Sequence, residues 1–368
     1  MISFYLTPCL DLAPTDCNTS PTPATLTLIT NPRITNLENM APVLEVRELH
    51  THFKTRMGTV KAVNGVSFTL EPGKVLAIVG ESGSGKSTLA LSLVNLAPYP
   101  GEVVGGQVLL NGRDLLKISE PELQQVRGKE IAIVLQDANA ALNPTIRIDN
   151  QMTEALQGHL GLGKKQAEAS CIDLLRDMGL PDAKEMMKRY PYQISGGQAQ
   201  RVMLAMSLAL EPKVLVADEP TANLDVTIQA EILARLRRLQ RERDMAILYI
   251  THDLGVVGRV ADEVAVIYGG TILEQTSASN LFNRPTNPYT YALLQSLPRI
   301  DAKEQLLTSI PGNPPDMMDL PDECPFLPRC SKALAKCRTN FKPPLVEIQP
   351  QHLVACFNPM DPEGSLAG

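Results

Sequence analysis

The clearest chemistry in this sequence is a phosphate cradle, Gly80-Glu81-Ser82-Gly83-Ser84-Gly85-Lys86-Ser87. It fits the pattern G-x-x-x-x-G-K-[ST]. It follows the apolar run VLAIV at 75–79 and precedes TLALSLVNLA, which starts at Thr88 and has helical character. Strand, loop and helix in that order are the context the pattern needs. Glycines let successive backbone N–H groups converge on an anion, and the helix start adds partial positive charge. Lys86 is placed to reach the β- and γ-phosphates of ATP, and the Ser87 hydroxyl to ligate Mg²⁺.

Three further groups extend this chemistry. Val214-Leu215-Val216-Ala217-Asp218-Glu219 reads as a buried strand that delivers two carboxylates at its C-terminal end, where ligands of parallel sheets bind. Asp218 suits a Mg²⁺ held through water, and Glu219 suits a base for an attacking water. Ile194-Ser195-Gly196-Gly197-Gln198 opens a helix about twenty residues upstream, and alone it reads as a helix cap. Gln136, Asn223-Leu224-Asp225 and His252 stand at intervals between and after these groups. Singly they read as a surface glutamine, a helix-capping aspartate and a hydrogen-bonded histidine ending a strand.

The elements that must position these residues follow from the apolar pattern. Between about 42 and 298, short continuous apolar runs (75–79, 214–218, 246–250) alternate with longer helical ones. That alternation predicts an α/β core around a parallel sheet covered on both faces. Residues 1–39 are rich in Thr, Pro and Asn and are expected to be disordered, with Met40 a candidate for the true start. Past Pro298 the sequence turns to Pro and Cys, predicting a small loop-rich appendage. No internal repeat is visible, so one cassette is expected.

Composition narrows the function. The net charge of −6 argues against nucleic acid as a partner. The arginines of RLRRLQRER at 235–243 are expected on a solvated helix face, because Ile228, Ile232, Leu236 and Leu239 recur at helical spacing. No run approaches the ~18 apolar residues of a membrane span, and the first residues lack a basic secretory n-region. The expected location is therefore cytoplasmic, where seven cysteines are not expected to form disulfides.

Taken together and in order, these motifs resemble the ABC ATPases, with Ser195-Gly196-Gly197-Gln198 as the signature motif. The resemblance implies a P-loop NTPase fold: a RecA-like parallel-sheet core, an antiparallel β-subdomain and a helical subdomain at about 137–205. It implies that Gln136 senses Mg²⁺ and the γ-phosphate, that Asp225 belongs to the D-loop, and that His252 is the switch histidine. Phe53 would stack on adenine. ATP-binding residues would then be Phe53, Gly80, Glu81, Ser82, Gly83, Ser84, Gly85, Lys86, Ser87, Thr88 and Gln136, with Mg²⁺ on Ser87, Gln136 and Asp218. Two such cassettes face each other head to tail, so Ser195 and Gly197 of one chain cap ATP on Lys86 of the other.

ALNPTIRI, LDVTIQAEIL, THDLGVVGRVADEVAVIYGG and RPTNPYTYALLQSLP are similar to the ATP-binding subunits of dipeptide and oligopeptide importers. This implies residues 40–298 as the ATPase domain and 299–368 as the C-terminal extension of that family. It also implies a second ATPase subunit (a paralogue or a second copy), two transmembrane permeases and an extracytoplasmic peptide-binding protein. The chain would sit on the cytoplasmic face of the inner membrane. Leu142, Pro144 and the apolar positions of IDNQMTEALQ are candidates to receive a permease helix or, equally, to pack on the chain's own core. Ile194 stands where the family has Leu, Asn223 where it has Ala, and Asp137-Ala138 lacks a common proline. The alternatives are a soluble, non-transport ABC ATPase and the same motor serving a nickel complex or related cargo.

Cys324, Cys330, Cys337 and Cys356 are spaced C-x5-C-x6-C-x18-C. Four thiolates suit zinc or an iron–sulfur cluster, but this spacing has neither the C-x2-C pair of zinc ribbons nor a ferredoxin pattern. Zinc, cluster and free thiols stay open on spacing. Resemblance to the peptide-importer extension implies a [4Fe–4S] centre.

Overall fold

The computed structural model describes residues 41–297 and 309–361, apart from Asn223, Asp319 and Asn340. The expected disordered stretch 1–39, Asn223 and Pro298 lie outside the described residues. The chain opens with a hairpin of β1 (Leu44–Thr55) and β2 (Gly58–Leu70). Then come β3 (Val75–Val79), α1 (Lys86–Ser92), β4 (Gly101–Leu110) and β5 (Arg113–Asp114). After α2 (Glu120–Val126) and β6 (Ile131–Val134) a helical stretch follows. It comprises α3 (Ala138–Ala141), α4 (Ile148–Leu160), α5 (Lys164–Asp177), α6 (Ala183–Met187) and α7 (Gly196–Leu208).

The chain then re-enters the sheet through β7 (Val214–Asp218), α8 (Val226–Glu242), β8 (Ala246–Thr251), α9 (Leu254–Val260) and β9 (Glu263–Tyr268). It closes with β10 (Thr271–Ser277), α10 (Ala278–Asn283), α11 (Pro288–Gln295), β11 (Val346–Gln349) and β12 (His352–Val354).

Two sheets result. The antiparallel one runs β2-β1-β4-β5, and the larger one β11-β12-β10-β9-β3-β8-β7-β6. Strands β9, β3, β8, β7 and β6 pair in parallel. Every residue of β3, β7 and β8 is buried, as continuous apolar runs require when both faces are covered. One core packs between this sheet and α3–α8. A second fills the space between the two sheets and includes Leu89 and Leu93 behind the phosphate loop. Cutting fully buried Leu89 to Ala would cost about 2–5 kcal/mol and loosen that support.

One expectation needs correction. Leu142, Ile148, Met152 and Leu156 are buried in the chain's own core, so they cannot receive a partner helix as they stand; among the apolar residues of 142–157 only Pro144 and Ile146 are exposed. The described residues past 298 are mostly loop, but they also enter the main sheet and its core. Strand β12 pairs antiparallel with β10, and a third core unites Ala77 and Val79 of β3 with Phe326 and Ala355. Fully buried Glu274 of β10 clasps this junction: it accepts from the Thr286 and Asn287 N–H groups and lies 2.7 Å from His352 Nε2. The α8 arginines behave as expected. Ile232, Leu236 and Leu239 face inward, while Arg235, Arg237 and Arg238 pair with Glu231, Asp262 and Asp177.

Candidate active site

The phosphate loop is wedged between β2 and the end of β9. A Cβ on Gly85, whose φ is +96°, would lie 2.0 Å from the Ala62 carbonyl, and one on Gly80 2.1 Å from that of Ile267. Only glycine fits where two backbones approach this closely. Lys86 Nζ donates to the carbonyls of Gly80 (2.9 Å) and Glu81 (2.8 Å). Burial lowers its pKa, against the pull of Glu219, Asp218 and Glu81. Ser84 Oγ is buried without a partner. Ser82, Gly83 and Ser87 are exposed and Thr88 is half-buried.

The order β3-β8-β7-β6 explains how distant sequence positions meet. The phosphate loop follows β3, His252 follows β8, Asp218 ends β7 with Glu219 next, and Gln136 lies two residues past β6. All leave the C-terminal edge of adjacent parallel strands. Glu219 is held on both oxygens: Gln136 Nε2 donates to Oε2 at 2.7 Å, and His252 Nδ1 lies 2.7 Å from Oε1. Its backbone sits at φ +46°, a left-handed conformation that costs a non-glycine residue about 1–3 kcal/mol and clusters at functional sites. Asp218 is buried, and burial raises its pKa despite a hydrogen bond from Ser87. Its Oδ1 has no partner. An orphaned, buried carboxylate oxygen beside a serine hydroxyl fits a Mg²⁺ site in donor type and charge.

The signature residues are built differently. Ser195 caps α7: its Oγ accepts from Gln198 N (3.3 Å), and its N–H donates to Gln198 Oε1 (3.0 Å). Ser195 and Gly196 are exposed, Gly197 and Gln198 half-buried. Among the described residues no hydrogen bond or ion pair joins them to the phosphate loop. Asp225 likewise caps α8, accepting from Ile228 N at 2.9 Å. One link runs back to the carboxylates, since buried Gln200 of α7 donates to the Pro220 carbonyl at 2.7 Å. Phe53 is half-buried, paired with Val60 on β2 and Gly101 on β4; Val60 is two residues from the Ala62 that presses on Gly85.

Cys324, Cys330, Cys337 and Cys356 line one small cavity with Phe326 and Phe357. Burial pushes the Cys324 thiol up to about 12 and raises those of Cys330 and Cys356. Among the described residues, no three His, Cys, Asp or Glu side chains stand close enough to hold one metal ion.

Sequence reasoning missed two contacts on the loop. Tyr289 of α11 accepts the Glu81 N–H at 3.0 Å. Arg329 pairs with the Glu81 carboxylate at 2.6 Å. Tyr289 sits in RPTNPYTYALLQSLP and Arg329 in the Pro- and Cys-rich stretch past Pro298, both noted for other reasons, and neither spacing signals a reach to residue 81.

Strand order, phosphate loop and bracketed glutamate define an ATP-hydrolysing cassette of the ABC type. The sequence matches the ABC transporter family over residues 63–222 and the oligopeptide/dipeptide transporter C-terminal region over 273–337. It is 44% identical over 319 residues to the oligopeptide transport ATP-binding protein OppD of Salmonella typhimurium, covering 87% of this chain and 94% of that protein. It is also 44% identical to the dipeptide transport ATP-binding protein DppD of Bacillus subtilis, covering 86% of this chain and 95% of that one. In fold it is similar to the dimeric ABC transporter cassette MJ0796, with a TM-score of 0.59 at 24% identity over 64% of this chain and 98% of that one. The chain belongs to the ABC transporter family, within its oligopeptide and dipeptide transport ATP-binding proteins.

Proposed function

We propose that this chain is the ATP-hydrolysing motor subunit of a peptide importer, working at the cytoplasmic face of the inner membrane. No helix among the described residues is long and apolar enough to cross a membrane, which suits a subunit bound to separate permeases. The observation that carries the mechanism is Glu219 held between Gln136 and His252, next to Asp218 and facing the phosphate loop. Lys86 exchanges the Gly80 and Glu81 carbonyls for β- and γ-phosphate oxygens, and Gly80–Thr88 surround them with N–H groups and hydroxyls. Ser87, Asp218 and Gln136 would hold the Mg²⁺, which would supply charge neutralisation on the phosphates. Glu219 takes a proton from water as its oxygen attacks the γ-phosphorus, and the bond to the bridging oxygen of ADP breaks. His252 fixes the carboxylate and meets the γ-phosphate; Phe53 stacks on adenine.

The cap is exposed at Ser195 and Gly196. The Gly196 and Gly197 N–H groups, not used within it, are free for a second anion, which we assign to ATP on a partner ATPase subunit. Asp225 lies at the same junction. Residues 40–298 form the ATPase domain and 299–368 the transporter-type extension, whose boundary β10 and β12 cross. Two permeases and an extracytoplasmic peptide-binding protein complete the machine.

For the four cysteines we propose a [4Fe–4S] centre rather than zinc, on resemblance to the peptide-importer extension. One zinc ion with sulfurs at about 2.3 Å needs them about 3.8 Å apart, whereas a cluster spreads four thiolates over several irons. Four thiols line one cavity, and the resemblance to the peptide-importer extension is what favours a cluster there. Metal binding would also offset the raised thiol pKa values. Iron analysis and low-temperature EPR of anaerobically purified protein should find about four irons per chain; stoichiometric zinc without iron contradicts this. The function itself is tested by reconstitution with the permeases and binding protein in vesicles: peptide should stimulate ATP turnover and enter with it, and ATP turnover indifferent to peptide would reject the reading.

A further inference from the structure

The C-terminal extension reaches the phosphate loop through one side chain. Arg329 is 5% exposed and forks onto Glu81, with Nη1 2.6 Å from Oε2 and Nη2 3.2 Å from Oε1. Its remaining donors are fixed by Tyr268 Oη (2.9 Å) and the carbonyls of Pro311 (2.9 Å) and Ile310 (3.3 Å). A planar guanidinium bound at this many points has one position available. Glu81 is the second residue of the phosphate loop; its carbonyl accepts from Lys86 Nζ, and its N–H is capped by Tyr289. Glu81 therefore ties Arg329, Tyr289 and Lys86 together. Its carboxylate is also an anion beside a polyanionic substrate, where an uncompensated charge repels strongly at short range.

We propose that Arg329 is a positioning residue of the ATP site, holding the phosphate loop through Glu81 and cancelling that carboxylate's charge before triphosphate enters. The extension is then part of the nucleotide site rather than a neighbour of it. Cys330 follows Arg329 directly, so the cysteine cavity and the phosphate loop share one rigid connection. This inference rests on the ATP-binding reading of the loop and adds the extension to it.

The test is a charge-cancellation cycle on the full chain, titrating a fluorescent ATP analogue with Mg²⁺ into wild type, Arg329→Gln, Glu81→Gln and the double variant. Arg329→Gln should weaken affinity roughly tenfold, with less loss at high salt. The double variant should recover most of that loss, because the charge to be cancelled is gone. A purely structural arginine predicts the opposite, a double variant as weak as or weaker than Arg329→Gln. That result, or an Arg329→Gln chain that binds like wild type, overturns the proposal. If Arg329→Gln does not fold, Arg329→Lys decides: a loss of about two- to threefold supports the role of the fork, and unchanged affinity overturns it. Wild-type protein that fails to bind the analogue would reject the ATP reading itself, a separate outcome.

Discussion

The phosphate loop and the signature helix start are both glycine-containing helix openings, yet they are finished in opposite ways. Around Lys86 the chain supplies its own partners from β2, β9, α11 and the extension, and glutamine, glutamate and histidine gather at neighbouring strand ends. Around Ser195 the hydrogen bonds seen among the described residues form a cap within the same helix, and Ser195 and Gly196 are left exposed. Half of the machinery is complete within one chain, and the other half points outward. An exposed helix start of this kind is what the proposed function requires for a site on another molecule, where such a start meets its anionic ligand.

The largest test of this contrast lies on the complete half. Glu219→Gln should keep nucleotide binding and slow hydrolysis by roughly 10²–10⁴-fold, measured as phosphate release against a binding titration; turnover near wild type would remove Glu219 from the catalytic role. On the outward half, Ser195→Arg should leave single-chain nucleotide affinity within about twofold and lower hydrolysis by at least roughly tenfold, because a bulky cation blocks the facing partner. Equal losses of binding and turnover would mean that Ser195 serves its own chain.

A smaller effect probes the link between halves. Gln200→Ala leaves the buried Pro220 carbonyl unpaired and should destabilise by about 1–3 kcal/mol, read by denaturant unfolding. The smallest effect belongs to Asp218. Burial holds its carboxyl above the ordinary range, so its charge at neutral pH works against the nucleotide-free fold. Asp218→Asn should raise Tm by about 2 °C at pH 7.5, with the gain fading on acidification as wild-type Asp218 takes up a proton. A lowered Tm at pH 7.5 would contradict the unpartnered-carboxylate picture.

Much of the complete half was legible because its signals are local. A buried strand is a continuous apolar run, and a phosphate loop is eight consecutive residues, so β3, β7 and β8 fell where the pattern placed them. The meeting of Gln136, Glu219 and His252 is a matter of strand order, which the residues themselves do not encode locally; resemblance to a family supplied it. Arg329 and Tyr289 were out of reach for the same reason, since a contact across 248 positions leaves no periodic trace. Leu142 and Met152 misled because an amphipathic helix facing its own core has the same spacing as one facing a partner. The entry of the extension into the sheet left no trace in its Pro- and Cys-rich sequence, because β12 is only three residues long.

The claim at the centre is that ATP is held between two chains, and sedimentation of the Glu219→Gln protein tests it most directly. With Mg²⁺ and ATP, alone or with its paralogous ATPase subunit, it should shift from single chains to pairs, and Ser195→Arg should abolish the shift. Chains that bind ATP and stay single under every pairing tried, or pair equally well with Ser195→Arg, would contradict the account.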